Sequence, residues 1–363
     1  MNKGKNKVIV IEAPGRICLL GEHQDYLGLE VISGAMNLKV RLIARPAGNN
    51  AILKVNLILT NQIHCIDTSG AGTPQPRDYL RSGLNCMLSK GFHFKRGYTI
   101  TVDGDLPIGK GVSSSSALCV GWIRLLAAIA ENPCDLTAEQ AALWAFETEV
   151  TRFNEPGGMQ DHFASALGGL LHLDFNGRSN EPPSVTRLKP LPDGLLLVDS
   201  GQLKDTIGMI SRIRSSVEKQ FKRLCKDCCP SLSETTIDRV FSTGKKSLLF
   251  KELYGTLLNR DITRFAYHNW PSNPDHLPQF LAPLINAHHQ YLSELIQSSS
   301  SAIDKCIEWC RRNGALAGKV IGSGGGGCLL IYAPGHALEL KRKLTEQGYR
   351  VWDVRLGPGV TIS

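Results

Sequence analysis

The sequence predicts an α+β fold in two domains, and three observations carry that expectation. Strand-like and helix-like segments alternate along the 363 residues without the regular spacing of βαβ units. Residues 176–193, rich in Pro, Gly, Ser and Asn, separate the first half from a mostly helical second half. The length suits two ordinary domains, divided as residues 1–190 and 191–363.

The elements follow in order. Residues 8–60 alternate apolar runs with turn-prone residues, which predicts several strands. Residues 78–90 read as a helix and residues 97–103, with their β-branched and aromatic side chains, as a strand. After a glycine- and serine-rich turn, residues 117–130 are apolar and poor in breakers, which predicts a helix. Asp135-Leu136-Thr137-Ala138-Glu139 has the acidic first turn of a helix start, and that helix runs to about Arg152. Residues 170–175 and 194–199 predict strands, and so do 328–332 and 350–354. The densest basic stretch, Arg212 to Lys226, places Ile213, Val217, Phe221 and Leu224 on one stripe. It reads as an amphipathic helix with a solvated face, and no nucleic-acid motif accompanies it.

Composition narrows the class. Hydrophobic residues make up 42% and charged residues 20%, as in ordinary globular chains. No run reaches the ~20 apolar residues of a membrane span, and Val8-Ile9-Val10-Ile11 is too short for a signal-peptide core. A cytoplasmic protein with no membrane and no nucleic-acid partner is expected, as a monomer or homodimer. The 11 cysteines are odd in number and several, such as Cys119, Cys306 and Cys310, sit in apolar or helical runs, which favours a reduced compartment. Cys225-x-x-Cys228-Cys229 lacks a second CxxC or a nearby His pair, so zinc is not expected there. The net charge of +8 suits an enzyme that handles phosphates.

Three glycine-bearing segments carry the chemistry. Asp105 to Ala117 contains Gly109, Gly111, Ser113, Ser114, Ser115 and Ser116 between a strand and a helix. Glycines permit close backbone approach, and the free N–H groups of a first helical turn suit a phosphate. The serine hydroxyls can cap the helix or ligate Mg²⁺. It is not a Walker A pattern, and read alone it serves equally as a capped helix after a flexible turn. Gly322-Ser323-Gly324-Gly325-Gly326-Gly327 lies between apolar strands, where close backbone approach explains glycine better than a linker does. Ala13 to Tyr26 gathers Arg16, Glu22, His23 and Asp25 beside an apolar strand. These side chains suit sugar hydroxyls and a phosphate; a charged loop is the plainer alternative.

Together and in their order along the chain (13–26, 105–117, 322–327), the segments resemble the three motifs of the GHMP kinases. Ala13-Pro14-Gly15-Arg16 followed by Gly21-Glu22-His23-Gln24-Asp25-Tyr26 is most similar to galactokinases, and Lys319 to Cys328 is similar to their glycine motif. Gly158-Met159-Gln160-Asp161-His162-Phe163 resembles a fourth family segment, so the likeness spans residues 8 to 332. It implies a ribosomal-protein-S5-like N-terminal domain and a ferredoxin-like C-terminal domain. It also implies ATP and Mg²⁺, and transfer of phosphate to a sugar hydroxyl, the anomeric 1-OH of galactose or a related sugar. By motif position, Asp161 would be the base, with Arg16 orienting it and stabilising the developing charge. Glu22, His23, Asp25 and Gly158 would form the sugar site, and Gly109, Gly111, Ser113 to Ser116 and Gly324 the nucleotide site. Ser115 and Glu149 would face the metal; an exposed helix glutamate is the alternative for Glu149.

The chain departs from galactokinases at Cys18, at Gln160 and His162 around Asp161, and throughout 199–206. Other acceptors (a heptose, a uronic acid, L-arabinose or mevalonate) therefore stay open, as does a sensor that binds sugar and ATP without turnover. Arg16 and Asp25 favour a sugar.

Overall fold

The computed structural model describes residues 7–48, 50–70, 72–191, 193–225, 231–238 and 249–363. The expected absence of zinc at Cys225-x-x-Cys228-Cys229 concerns residues that lie outside this set beyond Cys225.

The architecture is α+β, built on two sheets. In the first, β1 (Ile9–Leu20) and β2 (Val31–Pro46) form a long antiparallel pair. β5 (Tyr98–Gly104) joins β2, and β3 (Ile52–Leu57) joins β5 in parallel, with β4 (Gln62–Asp67) at the edge. The far half of β2 carries β6 (Leu170–Asp174) and then β7 (Ser184–Leu188). β7 lies within the segment expected to be a linker. Its residues are almost all exposed, so neither face shows the apolar alternation that marks a strand.

Four helices back this sheet: α1 (Tyr79–Ser89), α2 (Ser114–Ile129), α3 (Ala138–Glu149) and α4 (Gln160–Leu167). From Ala117 onward α2 is largely buried among its neighbours, which is why that part of its sequence is mostly apolar. Gly121 on α2 allows that close packing, since a Cβ there would fall 2.8 Å from Leu42. α2 starts at Ser114, earlier than apolarity alone predicts, because serines form its first turn.

The second sheet is antiparallel, in the order β11 (Val351–Val354), β8 (Leu195–Asp199), β10 (Cys328–Tyr332), β9 (Ala317–Val320). Leu195 and Leu197 join the core of the first sheet, whereas Leu196 and Val198 join a second core with Ile213, Leu253 and Ile307. Burial on both faces explains why β8 reads as an unbroken apolar run. α5 (Thr206–Cys225), α6 (Lys251–His268), α7 (Leu277–Glu294), α8 (Ser301–Arg312) and α9 (Ala337–Glu346) complete this half. The chain then returns, and β12 (Thr361–Ile362) pairs with β1. Among the described residues, no helix is long and apolar enough to cross a membrane.

Candidate active site

The site forms where β1 ends, α2 and α4 begin, and the second sheet presents its glycine-rich turn. The β1–β2 register shifts between Pro14 and Arg16, and the Arg16 N–H leaves the ladder to donate to the Val112 carbonyl at 3.2 Å. Gly15 makes the approach possible, because a Cβ there would sit 2.7 Å from that carbonyl oxygen. The Arg16 side chain is thereby aimed along the loop. Its Nη1 donates to the Gly111 carbonyl (2.8 Å) and its Nε to Asp161 Oδ1 (2.6 Å). Arg16 is buried while the Asp161 side chain keeps 25% exposure on a shared cavity. The Asp161 charge outside the guanidinium raises the Arg16 pKa against the opposing effect of burial.

Gly109 and Gly111 both adopt left-handed φ. The loop therefore turns sharply into α2, whose N-cap residue, Ser113, makes no side-chain cap bond. The Ser113 hydroxyl is buried without a partner. The first-turn N–H groups, which no intrahelical carbonyl can satisfy, thus receive no cap from Ser113 either. Gly111 meets the backbone of Gly322 (a Cβ at Gly322 would lie 2.6 Å from the Gly111 carbonyl oxygen), so the Asp105–Ala117 and Gly322–Gly327 segments touch.

His23, in left-handed backbone, places Nδ1 2.9 Å from the Tyr26 hydroxyl. Burial lowers its pKa to about 3, leaving a neutral imidazole whose Nε2 has no partner. Asp25 is 4% exposed, and Oδ2 accepts from the Gln160 N–H at 3.2 Å. Burial, then the charge of Asp161, push its pKa up to about 6. Gly158 leaves room for this carboxyl, since a Cβ would fall 2.1 Å from Asp25 Oδ2.

These groups line one cavity of about 320 Å³, within the size range of small-molecule sites. It brings together Arg16, His23, Asp25, Gly158 and Asp161 with the serines 113–116 and Glu149. Two of the expected residues are engaged within the protein. Glu22 borders the cavity, but its carboxylate is already engaged: Oε1 accepts from the Gly322 N–H (2.6 Å) and Oε2 pairs with the fully buried Lys319. Gly324 is absent from the lining, and its missing Cβ makes space for the Ser298 carbonyl oxygen, 1.8 Å from where that atom would be.

Glu149 is a buried residue at the end of α3 rather than an exposed helix glutamate, and its Oε2 lies 2.7 Å from His162 Nε2. Among the described residues, no three His, Cys, Asp or Glu side chains form a metal cage. One carboxylate beside serine hydroxyls is nevertheless a suitable oxygen donor set for Mg²⁺, which commonly takes its remaining ligands from substrate phosphates and water. Sequence reasoning missed Lys204, Ser323, Gln160 and His162 as parts of this cavity. Gln160 and His162 flank Asp161 and could have been taken from the α4 segment; Lys204 carried no local signal.

Comparison with known proteins gives the same arrangement a family. The GHMP kinases N terminal domain matches residues 78–169, the GHMP kinases C terminal domain residues 279–350, and the galactokinase galactose-binding signature residues 2–46. A mevalonate kinase from Thermococcus gammatolerans is 24% identical over 355 residues, covering 94% of this chain and 93% of that protein. A galactokinase from Thermotoga neapolitana is 24% identical over 344 residues, covering 94% and 93%. Lactococcus lactis galactokinase complexed with galactose superposes with a TM-score of 0.82 at 18% identity, over 98% of this chain and 95% of that one. Methanococcus jannaschii mevalonate kinase gives 0.72 at 19% identity, over 98% and 99%. The architecture is the two-domain GHMP kinase fold.

Proposed function

We propose that this chain, which belongs to the GHMP kinases, transfers the γ-phosphoryl group of ATP to a sugar hydroxyl, the anomeric 1-OH of galactose or a related sugar. The observation that carries the reading is the Arg16–Asp161 pair, held between the uncapped start of α2 and the buried His23–Asp25 group. Asp161 takes the proton of the attacking hydroxyl, and Arg16 orients that carboxylate and faces the charge that develops on the phosphoryl group. The first turn of α2, with Gly109, Gly111 and Ser113 to Ser116, cradles the phosphates. Ser115 and Glu149 would hold Mg²⁺, which supplies charge neutralisation when bound. We also propose that residues 1–190 and 191–363 are the two domains, with β12 crossing back.

His23 Nε2 and the Asp25 carboxyl suit the hydroxyls of a neutral acceptor. Their location inside the match to the galactose-binding signature supports galactose or a close relative. The similarity to mevalonate kinases supports a second acceptor, but mevalonate carries a carboxylate. Asp25 and Asp161 already repel each other in this cavity, and an anionic acceptor beside them would add to that repulsion.

The test is ADP release with galactose, a heptose, a uronic acid, L-arabinose and mevalonate, with the phosphate located on the product by NMR. Turnover with a sugar that Asp161→Asn and Arg16→Ala both abolish is expected. Turnover with mevalonate alone would refute the acceptor class. Near-normal rates in both variants would refute the assignment of the site.

A further inference from the structure

We propose that Lys204 is a second cation on the transferring group, donating from Nζ to the γ-phosphoryl oxygens of ATP. This rests on the kinase reading above and adds a residue to it.

Lys204 follows β8 in a segment tied down at several points. The Ser200 N–H donates to the Gly327 carbonyl (2.9 Å), and the Gly327 N–H donates to that of Gln202 (3.1 Å). Gln202 Oε1 accepts from Ser300 (2.6 Å), and Asp205 Oδ1 accepts from the Gly208 N–H (3.0 Å). The lysine stem therefore has a defined course across two glycines. A Cβ at Gly327 would lie 3.3 Å from Lys204 Cδ, and one at Gly111 would lie 3.4 Å from Nζ. Nζ ends at the contact between the phosphate loop and the Gly322–Gly327 segment, 3.5 Å from Ser323 Oγ.

Among the described residues, no carboxylate lies within ion-pairing distance of this ammonium. The neighbouring lysines differ: Lys110 pairs with Asp199 at 2.9 Å, and Lys319 with Glu22. A largely desolvated cation without a counter-ion is unfavourable. Burial, then the charge of Arg16, lower the Lys204 pKa to about 8. An incoming polyanion relieves that penalty, and Lys204 lines the cavity that Arg16, Asp161 and the phosphate loop share.

During transfer, the acceptor oxygen forms its bond to Pγ while the bond from Pγ to the bridging oxygen breaks. The acceptor proton passes to Asp161, and the bond's electron pair leaves with ADP. Lys204 keeps its protons and donates N–H to the non-bridging oxygens.

ADP lacks the group that Lys204 contacts, so nucleotide binding isolates the claim from acceptor chemistry. Calorimetry at pH 7 should show ATP binding weakened about 10-fold in Lys204→Met, with ADP affinity unchanged. With an acceptor, kcat should fall about 10²–10³-fold while the acceptor KM holds. The wild-type kcat/KM for ATP should decline above pH about 8, where the lysine loses its proton. Lys204→Arg should recover part of the activity and lack that alkaline limb. The charged and titratable groups facing Lys204 are Arg16 on β1, Glu22 after it, Asp161 on α4 and Cys328 on β10, whose thiol burial pushes to about 12.

Equal losses for ATP and ADP, no loss, or an alkaline limb that persists in Lys204→Arg would overturn the proposal. ATP binding with normal Lys204 selectivity but no sugar turnover would sink the acceptor assignment and leave Lys204 standing. A wild-type protein that binds neither nucleotide would overturn both.

Discussion

Replacing Asp25 by Asn should stabilise the protein at neutral pH while weakening its hold on the acceptor. The Asp25 carboxyl is 4% exposed and, among the described residues, forms no ion pair; it accepts from the Gln160 and Tyr26 backbone N–H groups. Its pKa rises from 3.8 to about 6, so the folded state binds the proton more tightly than the unfolded state does. Below about pH 4 both states are protonated and no penalty exists. Stability then falls as pH rises through this window, by ~1.4 kcal/mol per pH unit, and levels off above pH about 6. The full penalty is about 3 kcal/mol. Asn has no proton to lose and escapes it, but it accepts more weakly from the two N–H groups, a loss of about 1 kcal/mol. The net gain at pH 8 is roughly 2 kcal/mol. Urea unfolding at pH 4 and pH 8 measures it, and the acceptor KM should rise about 10-fold or more. An equal gain at both pH values, or a variant less stable than wild type at pH 8, would refute the reasoning.

Three further predictions follow from the same geometry. Gly158→Ala puts a methyl group 2.1 Å from Asp25 Oδ2 and 2.8 Å from the Tyr26 nitrogen. It should cost about 1–3 kcal/mol and raise the acceptor KM more than the ATP KM; a wild-type acceptor KM contradicts the assigned packing. Lys319→Met strands the buried Glu22 carboxylate, for a loss of about 3–5 kcal/mol in denaturant unfolding, and Glu22→Gln in the same chain should restore much of it. Ser115→Ala should raise the Mg²⁺ concentration needed for half-maximal rate at a constant acceptor KM, and an unchanged Mg²⁺ titration counts against Ser115 as a ligand.

Much of the site was legible in residue order, because its parts are local devices. Gly109 and Gly111 before a serine-rich helix start, and Arg16 and Asp25 flanking the Glu22-His23 pair, each sit within a dozen residues, where turn chemistry and periodicity operate. The strand β7 was not legible, since a ribbon exposed on both faces leaves no apolar period.

By itself, then, the sequence determined the α+β class, the order of the motifs and the residue types available for phosphoryl transfer. Only the tertiary structure decided which of them meet and in what state of charge. Arg16 reaches Asp161 across 145 residues and Glu22 reaches Lys319 across 297, distances along the chain that no local pattern encodes. The same folding tied Glu22 to Gly322 and Lys319, set Gly324 against Ser298, and brought Lys204 to Gly111. Burial set the ionisation of His23 and Asp25, because desolvation depends on what surrounds a group in space and not on its neighbours in sequence.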